Sequence, residues 1–416
     1  MRIKILILFM VSMAAVFGLI SCAGEEETLQ DELQAEQIHK QALTVDTHCD
    51  TPMMMVGGGY DMGVYHAATD ERRGRIDLPR MQEGGLDAEF FAAFVGQGPL
   101  TQEGYAEAES RARKAIQAVH QMCEDYPDMV ALAKTPDDAA RLEAEGKIAA
   151  YIGMENGYPI GKDLSKLEAF YDLGVRYITL CHSSDNDICD SSTDRRNPED
   201  RGLSEFGRQV VDECNRLGIM VDISHASDQS FYDVLEHSRA PVIASHSSCR
   251  ALCGHPRNLN DDMIKALAEK GGVIQICFVS SFVRETPPNP EREKALAALE
   301  EKYGSYRDIK DEETRNKLRQ EYRKIYKKYP AAEATIYDVI DHVDHVVELV
   351  GVDHVGFGTD FDGGGGVEGC NDASEMPNLT RELIGRGYTK EEINKIWGGN
   401  LLRVFEDVVD TAQQTE

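Results

Sequence analysis

Short apolar runs rich in β-branched and aromatic residues recur along the chain, and most are followed by ten or more residues whose apolar positions return with helical spacing. Eight such runs are read as strands: 43–47 (LTVDT), 87–94 (DAEFFAAF), 148–153 (IAAYIG), 175–180 (VRYITL), 219–224 (IMVDIS), 241–245 (PVIAS), 273–278 (VIQICF) and 354–358 (HVGFG). Among the helical stretches, 204–217 opens with Ser204 as a cap and closes before Gly218, and 260–270 starts at Asn260-Asp261-Asp262 and stops at Gly271. Alternating strands and helices predict an α/β protein with a parallel sheet. Eight repeats favour closure into a (β/α)8 TIM barrel over an open doubly wound sheet, and no glycine-rich phosphate loop follows the first strand. Residues 285–333 break the alternation with a proline-containing start and a charged helical run from Glu291 to Lys328. This reads as a helical insertion after the seventh predicted strand, a solvated surface hairpin with no catalytic role.

The N-terminus changes the picture from a plain barrel to an exported one. Arg2 and Lys4 precede an apolar stretch from Ile5 to Ile20, the pattern of an export signal. Leu19-Ile20-Ser21-Cys22 resembles the bacterial lipobox, which implies cleavage before Cys22 and a lipid on its sulfur. Residues 1–21 are thus expected to be a lipoprotein signal peptide, 22–38 a flexible tether and 39–416 a single barrel domain, held at the bacterial cell envelope through the N-terminal lipid alone. A net charge of -29 repels a phosphate backbone, so nucleic acid is excluded as a partner. Of ten cysteines nine remain after Cys22, an odd number scattered through apolar runs, and no disulfide is assigned.

The candidate chemistry is positional. His48 and Asp50 follow the first predicted strand, Glu155 the third, His182 the fourth, His225 the fifth, His246 the sixth and Asp360 the eighth. A barrel gathers its strand C-termini on one rim, so these residues converge. His48 and Asp50 are two apart and face the same side of an extended backbone, able to share one ion. His225 and His246 end adjacent strands and can reach a second ion, while the two oxygens of Glu155 suit a bridge. Paired cations suit hydrolysis because they acidify water and polarise a carbonyl.

Over residues 40–408 the chain also resembles the membrane dipeptidase (renal dipeptidase) family of zinc metallopeptidases. The motifs are DTHCDTP at 46–52, GMENG at 153–157, CHSSDN at 181–186, GLSEFG at 202–207, VDISH at 221–225, ASHSS at 244–248, HPRNLNDD at 255–262, GFGTDFDG at 356–363 and NLLRVFE at 400–406. The resemblance implies two zinc ions per subunit: His48 and Asp50 on one, His225 and His246 on the other, Glu155 bridging. It also implies His182 as the substrate-contacting histidine that steadies an oxyanion, Arg257 as the binder of a dipeptide's terminal carboxylate, and Asp360 as the proton carrier; Asp362, which shares Asp360's face if the segment is extended, is the alternative for that role. Dipeptides with free termini, tolerated D-residues at the C-terminal position and a homodimer are the further expectations.

Three features depart from the family pattern: Cys49 where the family often has Asn, no His after the glycine of Glu155-Asn156-Gly157-Tyr158, and the charged insertion, which the shorter members lack. The alternative reading is a related amidohydrolase acting on a cyclic amide or lactone. Many such barrels bridge their metals with a carboxylated lysine, whereas Glu155 stands at that strand end here. His342 and His345 have helical spacing and read as residues of a solvated barrel helix, and Cys249 with Cys253 do not make a zinc site.

Overall fold

The computed structural model describes residues 33–67, 74–197, 199–304, 309, 311–330 and 333–414. Cys22 and the expected signal peptide lie outside the described residues. Residues 33–39, which overlap the end of the expected tether, are helical, with Ala35 and His39 buried.

Among the described residues nine parallel strands form one sheet: β1 (Val45–Cys49), β2 (Ala88–Ala92), β3 (Val130–Leu132), β4 (Ile148–Glu155), β5 (Val175–Thr179), β6 (Met220–Asp222), β7 (Ile243–Ser247), β8 (Val273–Ile276) and β9 (Val355–Phe357). Eight of them run in the order β1-β2-β4-β5-β6-β7-β8-β9 and correspond to the eight predicted runs. The ends meet just beyond the last strand: Asp360 N–H donates to His48 O at 3.0 Å, and Asp50 N–H donates to Phe361 O at 2.8 Å. The fold is the expected (β/α)8 barrel. β3 was not predicted; only three residues long, it pairs with Ile148–Ala150 at the start of β4, while β5 takes up that edge from Ile152 onward.

The barrel interior is graded along the strands. Phe90, Tyr151, Tyr177, Met220, Ile243 and Val273 belong to one apolar cluster with Leu401, Val404, Phe405 and Val408 of the C-terminal helix Asn400–Gln413. Two residues further along, on the same face by strand alternation, stand Gly153, Thr179, Asp222, Ser245 and Gln275. The apolar end is a packed plug and the C-terminal end is polar, so chemistry is confined to one rim. The opposite strand faces, among them Ile152, Ile178, Val221, Ala244 and Ile274, join a larger core under the surrounding helices.

Helix signals in the sequence act as read. Ser204 caps Glu205–Leu217 by accepting from Gly207 N–H, and Gly218 ends it at φ 77°. Asn260 caps Asp261–Glu269 in the same manner. The charged insertion is two helices, Pro290–Tyr303 and Glu312–Lys328, packed on each other; Gly304, at φ 76°, ends the first where the sequence suggested one run. One expectation is corrected: His342 lies on Ile336–Val350, yet it is buried, accepting from Cys249 N–H at its Nδ1 and contacting Val283 O at 2.8 Å through its Nε2. Its helix face turns toward the core because the helix is apolar over Val339, Ile340, Val343 and Val346. His345 pairs with Asp261 at 2.8 Å.

Candidate active site

The polar strand ends converge on Glu155. From its Oε1, the Nε2 atoms of His225, His182 and His246 lie at 3.0, 3.6 and 3.6 Å, and His48 Nε2 lies 3.6 Å from its Oε2. The seven strand-end residues of the sequence reading form three overlapping groups: His48, Glu155 and His246; Glu155, His182 and His225; and His48, Asp50 and Asp360. Within each group one ligand-type atom per residue lies within 4.8 Å of the others.

Local backbone geometry aims these side chains. The non-glycine residues with positive φ among those described are Asn156 (76°), His225 (70°), Asp360 (56°) and Asp362 (66°), all at the ends of barrel strands around this rim. Left-handed backbone costs a side-chain-bearing residue on the order of 1–3 kcal/mol. Its concentration here identifies the rim as the part of the fold where position outweighs relaxation. Gly153 serves a related purpose: a Cβ there would lie 2.1 Å from the ring of Tyr177. Its absence admits that ring, whose hydroxyl sits 2.7 Å from His48 Nδ1.

The electrostatics are those of a cation site. Burial pushes the Glu155 carboxyl up to about 8, against the pull of Arg257, and pushes Asp360 up to about 7. Asp50 is raised well above its ordinary value by burial and by the neighbouring Glu155. His225 and His246 are held well below 6.5, chiefly by burial, so their contacts with Glu155 are not ion pairs but neutral imidazoles turned toward a carboxyl group. His48 Nε2, Asp50 Oδ1 and Glu155 Oε2 are buried without a hydrogen-bond partner. Buried acceptors left unmatched are costly, and neutral imidazoles with carboxylates are the donor set that divalent ions take. The residues fit a metal.

The remaining candidates flank this centre. His182, with its side chain 26% exposed, is the accessible histidine of the group; the Phe94 ring meets its edge at 4.7 Å, and His225 lies against it at 4.1 Å. Arg257 is buried, donates from Nη2 to His246 O at 3.1 Å, and keeps its Nε–H without a partner. Asp362, the alternative to Asp360, is committed elsewhere: it accepts from Thr51 Oγ1 and from Arg75 N–H, each at 2.7 Å. Cys249 and Cys253 are free thiols, like the other seven cysteines among the described residues, and Cys49 is fully buried. Sequence reasoning missed Tyr177 and Phe94. Both sit in apolar strand-like runs where an aromatic reads as core, and only the partner across the barrel gives them another meaning.

Similarity to known proteins identifies the family. Residues 32–416 match the family model described as Membrane dipeptidase (Peptidase family M19). The dipeptidase tcpJ of Claviceps purpurea is 33% identical over 375 residues, which span 88% of this chain and 77% of the fungal protein. The crystal structure of the probable dipeptidase PvdM from Pseudomonas aeruginosa is 31% identical, with a TM-score of 0.81 over 92% of this chain and 99% of that one. A metallo peptidase from Rhodobacter sphaeroides, solved with a phosphinate mimic of the dipeptide L-Ala-D-Ala, is 26% identical with a TM-score of 0.70, covering 88% and 99% of the two chains. The chain therefore belongs to the membrane dipeptidase family of metallopeptidases, and it is a hydrolase of the dipeptidase class.

Proposed function

We propose that this dipeptidase works with two zinc ions, His48 and Asp50 holding one, His225 and His246 the other, and Glu155 joining them. The observation that carries the reading is Glu155 itself, a buried carboxyl ringed by four imidazoles within 3.6 Å whose Oε2 has no hydrogen-bond partner. When bound, such ions supply Lewis acidity toward water and the scissile carbonyl.

The protein's own side chains do the rest. Arg257 receives the substrate's C-terminal carboxylate: its Nε–H is buried and unpaired, and an anion there relieves that cost. A longer peptide has an amide at that position and no charge to offer. His182 presents Nε2 beside Glu155 from the exposed side of the cluster and donates to the carbonyl oxygen as it gains charge. Asp360, beside His48 and Asp50 on the same rim, takes up the proton that the attacking water gives up and passes it to the departing amine. Tolerance of a D-residue at the C-terminal position is supported by the L-Ala-D-Ala mimic bound to the Rhodobacter sphaeroides relative. Export to a bacterial envelope with a lipid on Cys22 is supported by Leu19-Ile20-Ser21-Cys22, and a homodimer by family resemblance.

A substrate panel tests the reading. Dipeptides with a free C-terminus are expected to be cleaved, while their C-terminal amides, tripeptides and lactones are not. In Arg257→Ala, kcat/KM for free dipeptides is expected to fall by about 100-fold, the scale of losing a buried charge-assisted contact. Equal cleavage of free and amidated dipeptides by the unaltered enzyme would overturn the role of Arg257.

A further inference from the structure

Behind the histidines lies a buried chain of hydrogen bonds with one consistent proton assignment. Asp222, at the end of β6, is fully buried, and its carboxylate accepts four hydrogen bonds. Oδ1 receives Ser224 N–H at 3.0 Å and Ser245 N–H at 2.8 Å, and Oδ2 receives Thr179 Oγ1 at 2.5 Å and Ser245 Oγ at 2.7 Å. Four donors leave no room for a proton on the carboxylate. The single hydroxyl proton of Ser245 goes to Asp222 Oδ2 at 2.7 Å rather than to Ser224 Oγ, 3.5 Å away, so Ser245 Oγ accepts from His246 Nδ1 at 2.8 Å. His246 must then carry its proton on Nδ1. Its Nε2 lone pair is left facing His225 Nε2 at 3.0 Å and Glu155 Oε1 at 3.6 Å.

The other two candidate ligand histidines are supported differently. His48 Nδ1 meets the neutral phenol of Tyr177, and His225 Nδ1 is buried with no partner at all. Among the described residues, His246 alone of the three is linked to a carboxylate through its Nδ1 side, by way of Ser245 Oγ.

We infer that Asp222 is a positioning residue that acts through Ser245 to lock His246 in the Nδ1–H tautomer, orienting its Nε2 and strengthening it as a metal donor. The relay has the logic of a carboxylate–histidine–metal triad with a serine hydroxyl inserted. It rests on the proposed binuclear centre, and it makes the ion on the His225 and His246 side dependent on a residue that touches neither metal nor substrate.

The test uses full-length protein with Ser245→Ala, and Thr179→Val as control. Thr179→Val removes one bond to the same Asp222 oxygen but leaves Ser245 and His246 in contact. Zinc affinity is read by competition with a chromogenic chelator, and the His246 tautomer of metal-free protein by 15N NMR. In Ser245→Ala, one of the two ions is expected to weaken by about 10- to 100-fold, as second-sphere changes do, while the other is kept. Thr179→Val is expected to keep both, and metal-free unaltered protein to show protonated Nδ1 at His246. Two ions held at unaltered affinity in Ser245→Ala would overturn the relay, as would equal weakening in Thr179→Val or an Nε2–H tautomer in the unaltered protein. Unaltered protein that binds fewer than two ions would overturn the binuclear reading as well, which separates the two failures.

Discussion

The phenol oxygen of Tyr177 lies 2.7 Å from Nδ1 of His48, and both side chains are fully buried. His48 Nε2 has no hydrogen-bond partner and faces Glu155, so the proposed metal-donor role of the ring calls for Nδ1–H to point at Tyr177. Tyr177→Phe keeps the ring packing against Phe90, 5.5 Å away, but deletes the acceptor. Metal affinity is expected to fall by about 10- to 100-fold, with kcat lowered at limiting zinc and restored by excess. Zinc titration of activity checks it; an unchanged half-saturating concentration would contradict the assignment.

Gly363 borders the carboxylate pair. A Cβ on it would lie 2.1 Å from Asp360 Oδ1 and 2.2 Å from Asp50 Oδ2, and its backbone is not in the left-handed region. Gly363→Ala is therefore expected to leave the barrel folded and to push the two carboxyl groups apart. Bound metal should fall below the unaltered level, and kcat/KM should drop by roughly 100-fold or more, the scale on which a 1 Å misplacement acts. Circular dichroism alongside metal analysis separates this from unfolding.

Metal removal should expose the cost of the buried acids. Glu155 at about 8 and Asp360 at about 7 both hold protons more tightly in the folded chain than in the unfolded one. Their stabilising contribution to metal-free protein is present in full at low pH, below the unfolded values near 4, and is lost as pH rises through 7 and 8. The melting temperature of chelated protein is expected to fall between pH 6 and pH 9, and added zinc to restore it most at the alkaline end. A metal-free melting temperature that rises over that interval would contradict the placement of uncompensated acids in this cluster.

Much of this architecture is legible along the chain, for physical reasons. A strand buried on both faces reads as a continuous apolar run, and the first polar residue after it, as at Asp222-Ile223-Ser224-His225, marks the rim where the barrel opens. That is why His48, Asp50, Glu155, His182, His225, His246 and Asp360 can be named before any coordinates exist. What the pattern hides is the supporting layer. Tyr177 is one aromatic in an apolar run, and Ser245 and Asp222 are polar residues two positions above the plug, whose meaning depends on which strand lies next in the closed sheet. β3 was hidden because three residues give no period, and His342 because a helical pair of histidines does not report which face turns inward.

Zinc stoichiometry of the purified, metal-reconstituted chain, compared with that of Glu155→Gln, bears on the central claim most directly. Two ions per chain are expected for the unaltered protein, with a marked loss at both positions when one shared carboxylate becomes a neutral amide. One ion or none in the unaltered chain, or two tightly held ions in Glu155→Gln, would contradict a centre joined through that glutamate.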